Sequence, residues 1–187
     1  NPDTANTTGT LAYNFGADGA GSVQWLTSGA PAGFVYEASG SSLLVKQGIT
    51  TVMTLTLDSA TGAYVVTQNA AVTHASGFNE NNLVFTVGYQ VTDSDGDRAV
   101  GELAIDINDD TPTVAGNTAV QLDDDALTGG NPGGNGDTNP DTVNASGTLQ
   151  FSYGADGVGA SIAWLTSGAP SGFTYEASGT NLLVKQG

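Results

Sequence analysis

Asp93-Ser94-Asp95-Gly96-Asp97 is the run of residues best suited to chemistry. Asp93, Asp95 and Asp97 stand at alternate positions around a glycine, which sets hard oxygen donors on one side of a tight loop. Ca²⁺ takes about six to eight such oxygens, some of them from carbonyls and water. The run is no EF-hand, because the downstream bidentate Glu is missing and strand-like sequence flanks it. A plain hairpin turn suits the same residues, since Asp-Gly is a favoured turn pair. A second cluster, Asp106, Asn108, Asp109 and Asp110, gathers carboxylates whose mutual repulsion a cation would relieve; a solvated acidic linker would look the same. A third combines Asp123, Asp124 and Asp125 with Asp137 and Asp141 across a Gly-rich stretch. It could hold Ca²⁺ or simply keep a loop soluble, and the mobile glycines favour the latter.

Other chemistries find little support. The chain has no Cys, hence no disulfide framework, thiolate nucleophile or Cys-type zinc site. His74 is the single histidine, and no Gly-x-Ser-x-Gly elbow accompanies it. It is expected to pack or hydrogen-bond in the Thr73–Asn82 loop, and the chain is not expected to be an enzyme. Glu37 and Glu176 could be read as glycosidase carboxylates, but they recur once per repeat, which fits turn and edge roles better. Asn6-Thr7-Thr8 and Asn144-Ala145-Ser146 match the glycosylation sequon, a pattern short enough to arise by chance.

Those clusters sit in a chain of 187 residues with 19 Asp+Glu against 3 Lys+Arg, for a formal net charge of −16. Lys46, Arg98 and Lys185 give a phosphate backbone almost no donors, which excludes nucleic acid as a partner. No apolar run approaches the ~20 residues of a membrane-spanning helix, so no membrane insertion is expected. The opening Asn1-Pro2-Asp3-Thr4 shows no basic region ahead of an apolar stretch, so no signal peptide is expected here.

The chain repeats itself. Residues 1–48 and 139–187 are two copies of one segment, and Trp25–Gly48 matches Trp164–Gly187 at 20 of 24 positions. The period of 138 to 139 residues is the spacing of tandem domains rather than of a solenoid. One full period and the opening third of the next are present, as if cut from a longer array.

Apolar residues alternate in Leu11–Phe15, Val23–Trp25, Met53–Leu57 and Leu83–Val91. This period of two marks half-buried strands, and Gly-containing turns separate them. No helical periodicity is found. Strands are predicted at 9–15, 22–27, 33–38, 42–47, 50–57, 62–68, 82–92, 98–108, 116–122, 147–153, 161–166, 172–177 and 181–186, with a long loop over 123–144. The pattern predicts an all-β, antiparallel β-sandwich. Trp25 and Trp164 are expected as core anchors.

Pro112, after the acidic joint, suggests a module boundary. On this division residues 1–110 are a β-sandwich module lacking its first strand, and 111–187 open the next repeat. The second piece then lacks a counterpart of 49–110 and is expected to be completed by something, either a neighbouring chain or this chain's own 49–110. In a sandwich the Asp93–Asp97 turn and the Asp109-Asp110 joint lie at opposite poles, so neighbouring modules could share an ion there.

The stretch VTDSDGDRAVGELAIDINDDTPTV, Val91–Val114, resembles the module end and joint of the long tandem repeats in giant bacterial adhesins of the RTX type, which leave the cell by type 1 secretion. The acidic-Gly loop around Asp123–Asp137 and the following GTLQFSYGADG resemble that repeat's opening. The resemblance implies Ig-like β-sandwich extender modules in tandem, Ca²⁺ at the joints, an extracellular cell-surface location, neighbouring repeats as partners, and a role in adhesion or biofilm. Two other functions are compatible with the chain. A carbohydrate-binding module would use exposed Tyr13, Tyr36 or Tyr175, and a self-assembling fibre would form if repeats complete one another's open edges by strand donation.

Overall fold

In the computed structural model, residues 4–75, 81–131, 133–137, 140–155 and 161–187 are described. They form two compact units, 1–156 and 157–187, and among them every extended element is an antiparallel strand or bridge. The first unit begins with β1 (Thr8–Thr10), β2 (Ala20–Trp25), β3 (Phe34–Ser39), β4 (Ser42–Gln47), β5 (Thr50–Leu57) and β6 (Ala63–Gln68). The long hairpin of β7 (Leu83–Asp93) and β8 (Arg98–Ile107) follows. The short β9 (Thr113–Val114) and β10 (Phe151–Ser152) pair with each other. The second unit holds one hairpin, β11 (Phe173–Ser178) and β12 (Asn181–Gln186).

The all-β, antiparallel prediction holds. A five-stranded sheet in the order β1-β6-β5-β4-β3 and a three-stranded sheet in the order β2-β7-β8 share one apolar core, as in a β-sandwich. Alternation supplies that core directly. Leu43 and Val45 of β4, Leu55 and Leu57 of β5, and Phe85, Val87, Tyr89 and Val91 of β7 are all buried. The Phe34 and Phe85 rings meet edge-on across the two sheets with centroids 4.9 Å apart.

On β5 the alternation breaks, since Val52 and Met53 are both buried. Val45 pairs with Met53 and Lys46 with Thr51, so Val52 is an extra residue in the ladder. Such a bulge turns a side chain that would otherwise face outward. The Val52 carbonyl then accepts the N–H groups of Asn69 at 2.8 Å and Ala70 at 3.3 Å, which brings the chain leaving β6 over the core.

Four predicted strands are corrected, the first being 147–153, which is a strand only over Phe151–Ser152. The stretch 9–15 forms a strand only over Thr8–Thr10. Beyond it the Ala12 carbonyl is taken by the Tyr89 hydroxyl at 2.7 Å, and Tyr13 and Phe15 pack against the core without a ladder. The stretch 116–122 reduces to an isolated bridge between Gln121 and Val143. The stretch 161–166 is not a strand. Its equivalent in the first copy, β2, is held by β7, and the second unit has no such partner. The long loop contains one 3₁₀ turn, Asp124–Ala126, and no α-helix occurs among the described residues.

Two substitutions test this packing. Phe85 is fully buried between the sheets, and Phe85→Ala is expected to cost about 3–5 kcal/mol in urea unfolding. Gly101 faces the Tyr89 ring so closely that a Cβ would enter it. Gly101→Ala is expected to cost about 1–3 kcal/mol; a melting temperature equal to that of the parent chain would show that the strands separate freely at this point.

Candidate metal sites

The β2–β7 ladder builds the first acidic corner. Its register places Ala20 opposite Asp93. The turn before β2 therefore lies against the turn after β7, and carboxylate oxygens of Asp18, Asp93 and Asp95 come within 4.8 Å of one another. The two turns are tied by Ser94, whose N–H reaches the Gly19 carbonyl at 3.3 Å and whose hydroxyl donates to the Asp18 carbonyl. Asp93 Oδ1 accepts the N–H groups of Gly96 at 3.0 Å and Asp97 at 2.8 Å, which closes the loop. Asp97 contributes its backbone to that closure; its carboxylate is not in the trio. Asp18 was not among the expected ligands. Its membership depends on a cross-strand register some 70 residues away in sequence, which the local Asp-Gly turn around it does not reveal.

The second trio is Asp123, Asp125 and Asp137, all half-buried, with oxygens again within 4.8 Å. Asp123 caps the 3₁₀ turn by accepting the Asp125 N–H at 3.2 Å. The Gln121–Val143 bridge closes the base of the loop and so supplies fixed geometry that its glycines do not suggest. Desolvation first, and then the charges of Asp123, Asp137, Asp141 and Asp124, push the Asp125 carboxyl above its ordinary value.

The joint cluster behaves differently. Asp106 accepts the Asn82 side-chain N–H at 3.2 Å, and Asp109 accepts the N–H groups of Asn81 at 3.3 Å and Asp110 at 3.0 Å. Asp110 accepts the Thr111 N–H at 2.8 Å through one oxygen and the Ala155 N–H at 2.7 Å through the other. Hydrogen bonds thus fix these three acids, and they form no carboxylate trio among the described residues. They lie at the far end of β8 from the Asp93 corner, and the ten residues of that strand span about 30 Å.

Both trios offer only oxygen, the donor set a hard divalent cation such as Ca²⁺ selects. Other candidates resolve into structural roles. His74 Nδ1 lies 2.5 Å from the Asn81 carbonyl; residues 76–80 of that loop lie outside the described part. Glu37 is paired with Lys46 at 2.7 Å and Glu176 with Lys185 at 2.6 Å. Tyr36 is buried with its hydroxyl donating to the Thr86 carbonyl, and burial pushes its phenol pKa up. Trp25 is a core residue as expected, but Trp164 is 47% exposed, which corrects its reading as a core anchor. Without strands equivalent to β5 and β7, its unit cannot bury it.

The fold and these corners define an acidic, all-β chain of antiparallel strands. Residues 1–107 match the family described as domain of unknown function DUF5801; this is more than half of the chain, and the chain belongs to that family. The match ends at the last residue of β8. No curated protein and no solved structure matches the chain.

The Asp93 carboxyl is held below its ordinary value of 3.8, first by its side-chain hydrogen bond with Asp95 and then by backbone N–H groups, against an opposing desolvation. A depressed folded value contributes stability above the unfolded value, and the contribution is lost as pH falls through the folded one. In chelator, Asp93→Asn is therefore expected to lower the melting temperature at pH 7, with the difference from the parent chain closing below about pH 3.8. A difference that stays constant from pH 7 to 2 would show that the charge of Asp93 contributes nothing.

Proposed function

We propose that the chain is a stretch of a tandem array of Ig-like β-sandwich modules, the non-catalytic spacer of a large extracellular bacterial adhesin of the RTX type. Its acidic corners are stiffened by Ca²⁺, and the array holds an adhesive or biofilm-forming end away from the cell surface. The observation that carries this reading is the Asp110–Ala155 hydrogen bond. Asp110 ends the first repeat, and Ala155 belongs to the Gly-Ala-Asp-Gly sequence of the second copy. In the first copy the matching turn supplies Asp18 to the acidic trio. The end of one repeat thus touches the next copy at the residue before Asp156, the counterpart of Asp18, which itself lies outside the described residues.

The charge of the chain supports the same reading. A net charge of −16 opposes compaction until cations bind. Extracellular calcium is abundant and cytosolic calcium scarce, so folding coupled to binding would be favoured after export, by roughly RT ln(1 + [L]/Kd) per site. Bound calcium supplies charge neutralisation and a rigid link between turns. Asp18, Asp93 and Asp95 would hold it at one corner, and Asp123, Asp125 and Asp137 at the other. No helix among the described residues is long and apolar enough to cross a membrane.

Calorimetric titration with Ca²⁺ is expected to show binding, and EDTA to lower the melting temperature and loosen the chain in small-angle scattering. Indifference of both to EDTA would overturn the calcium mechanism. Asp125→Asn separates charge relief from ligation. In EDTA it removes repulsion and is expected to leave stability equal or higher, whereas in Ca²⁺ it is expected to reduce the calcium-dependent gain. Equal calcium gains in the variant and the parent chain would remove Asp125 from the site.

A further inference from the structure

Residues 4–16 and 142–154 are one segment of the repeat in two settings, and each setting shows a different edge of it. In the first copy the Leu11 N–H donates to the Gly62 carbonyl at 2.9 Å, and the Thr7 carbonyl accepts the Val66 N–H at 2.7 Å. That edge belongs to β6 and the turn before it. In the second copy the Gln150 carbonyl accepts the Ala115 N–H at 2.9 Å. Gln150 is the counterpart of Ala12, one residue beyond Leu11. Successive residues of a strand turn their N–H and C=O groups to opposite edges. The 113–121 segment therefore lies on the edge that faces away from β6, and the two partners do not compete for one place.

Contact along this outer edge spans the whole segment. Phe151 pairs with Val114 and Ser152 with Thr113. The Gln150 N–H donates to Asn117 Oδ1 at 2.9 Å, and Asn144 Nδ2 donates to the Ala119 carbonyl at 3.1 Å. Val143 and Gln121 exchange two backbone bonds, each of 3.0 Å. Every group that 142–154 gives to these bonds is backbone, apart from the Asn144 amide. The first copy has Asn6 at that position. Ala5, Ala12, Tyr13 and Asn14, which replace Val143, Gln150, Phe151 and Ser152, thus remove none of the donors or acceptors.

The first copy also holds this segment in the same shape. φ is 54° at Asn6 and 57° at Asn144, and 78° at Gly16 and 82° at Gly154. The Gly16 N–H donates to Asn14 Oδ1 at 2.8 Å, as the Gly154 N–H donates to Ser152 Oγ at 3.2 Å. The Tyr13 and Phe15 rings meet edge-on at 5.2 Å, and those of Phe151 and Tyr153 at 5.0 Å. The Ala12 carbonyl takes the Tyr89 hydroxyl at 2.7 Å, but a carbonyl has two lone pairs and can accept a second donor. Neither 5–14 nor 113–121 carries a charged side chain, in a chain of net charge −16. Pairing them brings no carboxylate against another.

We propose that the outer edge of residues 5–14 is a strand-binding site, and that its ligand is a 113–121 strand carried by another copy of the repeat. The larger sheet of a complete body then has one strand more than the five in the order β1-β6-β5-β4-β3, with 113–121 outside β1. In a tandem array the chain leaves β8 of one body, passes the joint at 109–112 and enters the sheet of the next body at once. The joint is a strand crossing between bodies and not a free linker. This assignment rests on the repetition within the chain and does not require Ca²⁺.

The test places a copy of residues 110–138 ahead of Asn1, which keeps the spacing that 110–138 has to 139–187. Measurements are made in EDTA and in Ca²⁺, so that failure of the strand site and failure of the calcium sites are read separately. Hydrogen exchange of the Ala12 amide, whose counterpart at Gln150 donates to Asn117, is expected to slow at least tenfold relative to the parent chain. Ala115→Pro in the added copy removes the N–H that meets the Ala12 carbonyl and is expected to abolish that protection. The chain has no Cys, so a disulfide can report the register. Ser152 lies opposite Thr113, and Asn14 is the counterpart of Ser152. Asn14→Cys with Thr113→Cys in the added copy is expected to close an intramolecular disulfide at least tenfold faster than Asn14→Cys with Thr118→Cys. Unchanged exchange at Ala12, protection that survives Ala115→Pro, or equal rates for the two cysteine pairs would each overturn the proposal.

Discussion

The fold depends on one constraint: the core of 1–110 exists only where two chain segments far apart in sequence close on each other. Residues 49–110 hold the long hairpin and β5–β6, and residues 1–48 supply the strands that lie on them. Neither half has a covered apolar face alone. The second copy shows the consequence, since its hairpin forms by local pairing but its Trp and aliphatic side chains remain in water. Hairpin formation is local chemistry in this protein, and core formation is long-range.

The acidic corners follow from the same pairing. Asp18 meets Asp93 and Asp95 because β2 lies on β7 in one register; a slip by one residue would turn the side chains of β2 to the wrong face and misplace the turn. The corner is therefore formed only when the sandwich is closed, and a cation bound there favours the closed state over the open one. The trio at Asp123, Asp125 and Asp137 is a local loop assembly, held by the Asp123 cap and the Gln121–Val143 bridge. One corner reports tertiary closure; the other reports only the order of its own loop.

Much of this was legible in the sequence. Strands with unbroken alternation, such as Leu83–Val91 and Met53–Leu57, appear where the pattern puts them. Alternation states only that a segment could lie in a half-buried sheet; a ladder also needs a partner. Val23-Gln24-Trp25 and Ile162-Ala163-Trp164 carry the same pattern, yet only the first is a strand, because only it has β7 beside it. The stretch 9–15 fails for another reason: its backbone acceptor at Ala12 goes to a tyrosine hydroxyl rather than to a neighbouring strand. The candidate ligands divide the same way. Asp93 and Asp95 could be picked from their spacing, whereas Asp18 could not, and Asp106, Asp109 and Asp110 are occupied by N–H donors that composition does not show.

The two copies also separate what a residue's chemistry is from what its surroundings make of it. Asn6 and Asn144 are the non-glycine residues with positive φ among those described, at 54° and 57°, in equivalent turns. Glu37–Lys46 and Glu176–Lys185 form the same ion pair at 2.7 and 2.6 Å. These features repeat because they depend on neighbours within a few residues or across one hairpin. Burial does not repeat, because it depends on strands such as β5 and β7, and unit 157–187 by itself contains one hairpin. A tandem array built from such units has local geometry that is indifferent to which copy is present, and its cohesion lies in which body each segment closes.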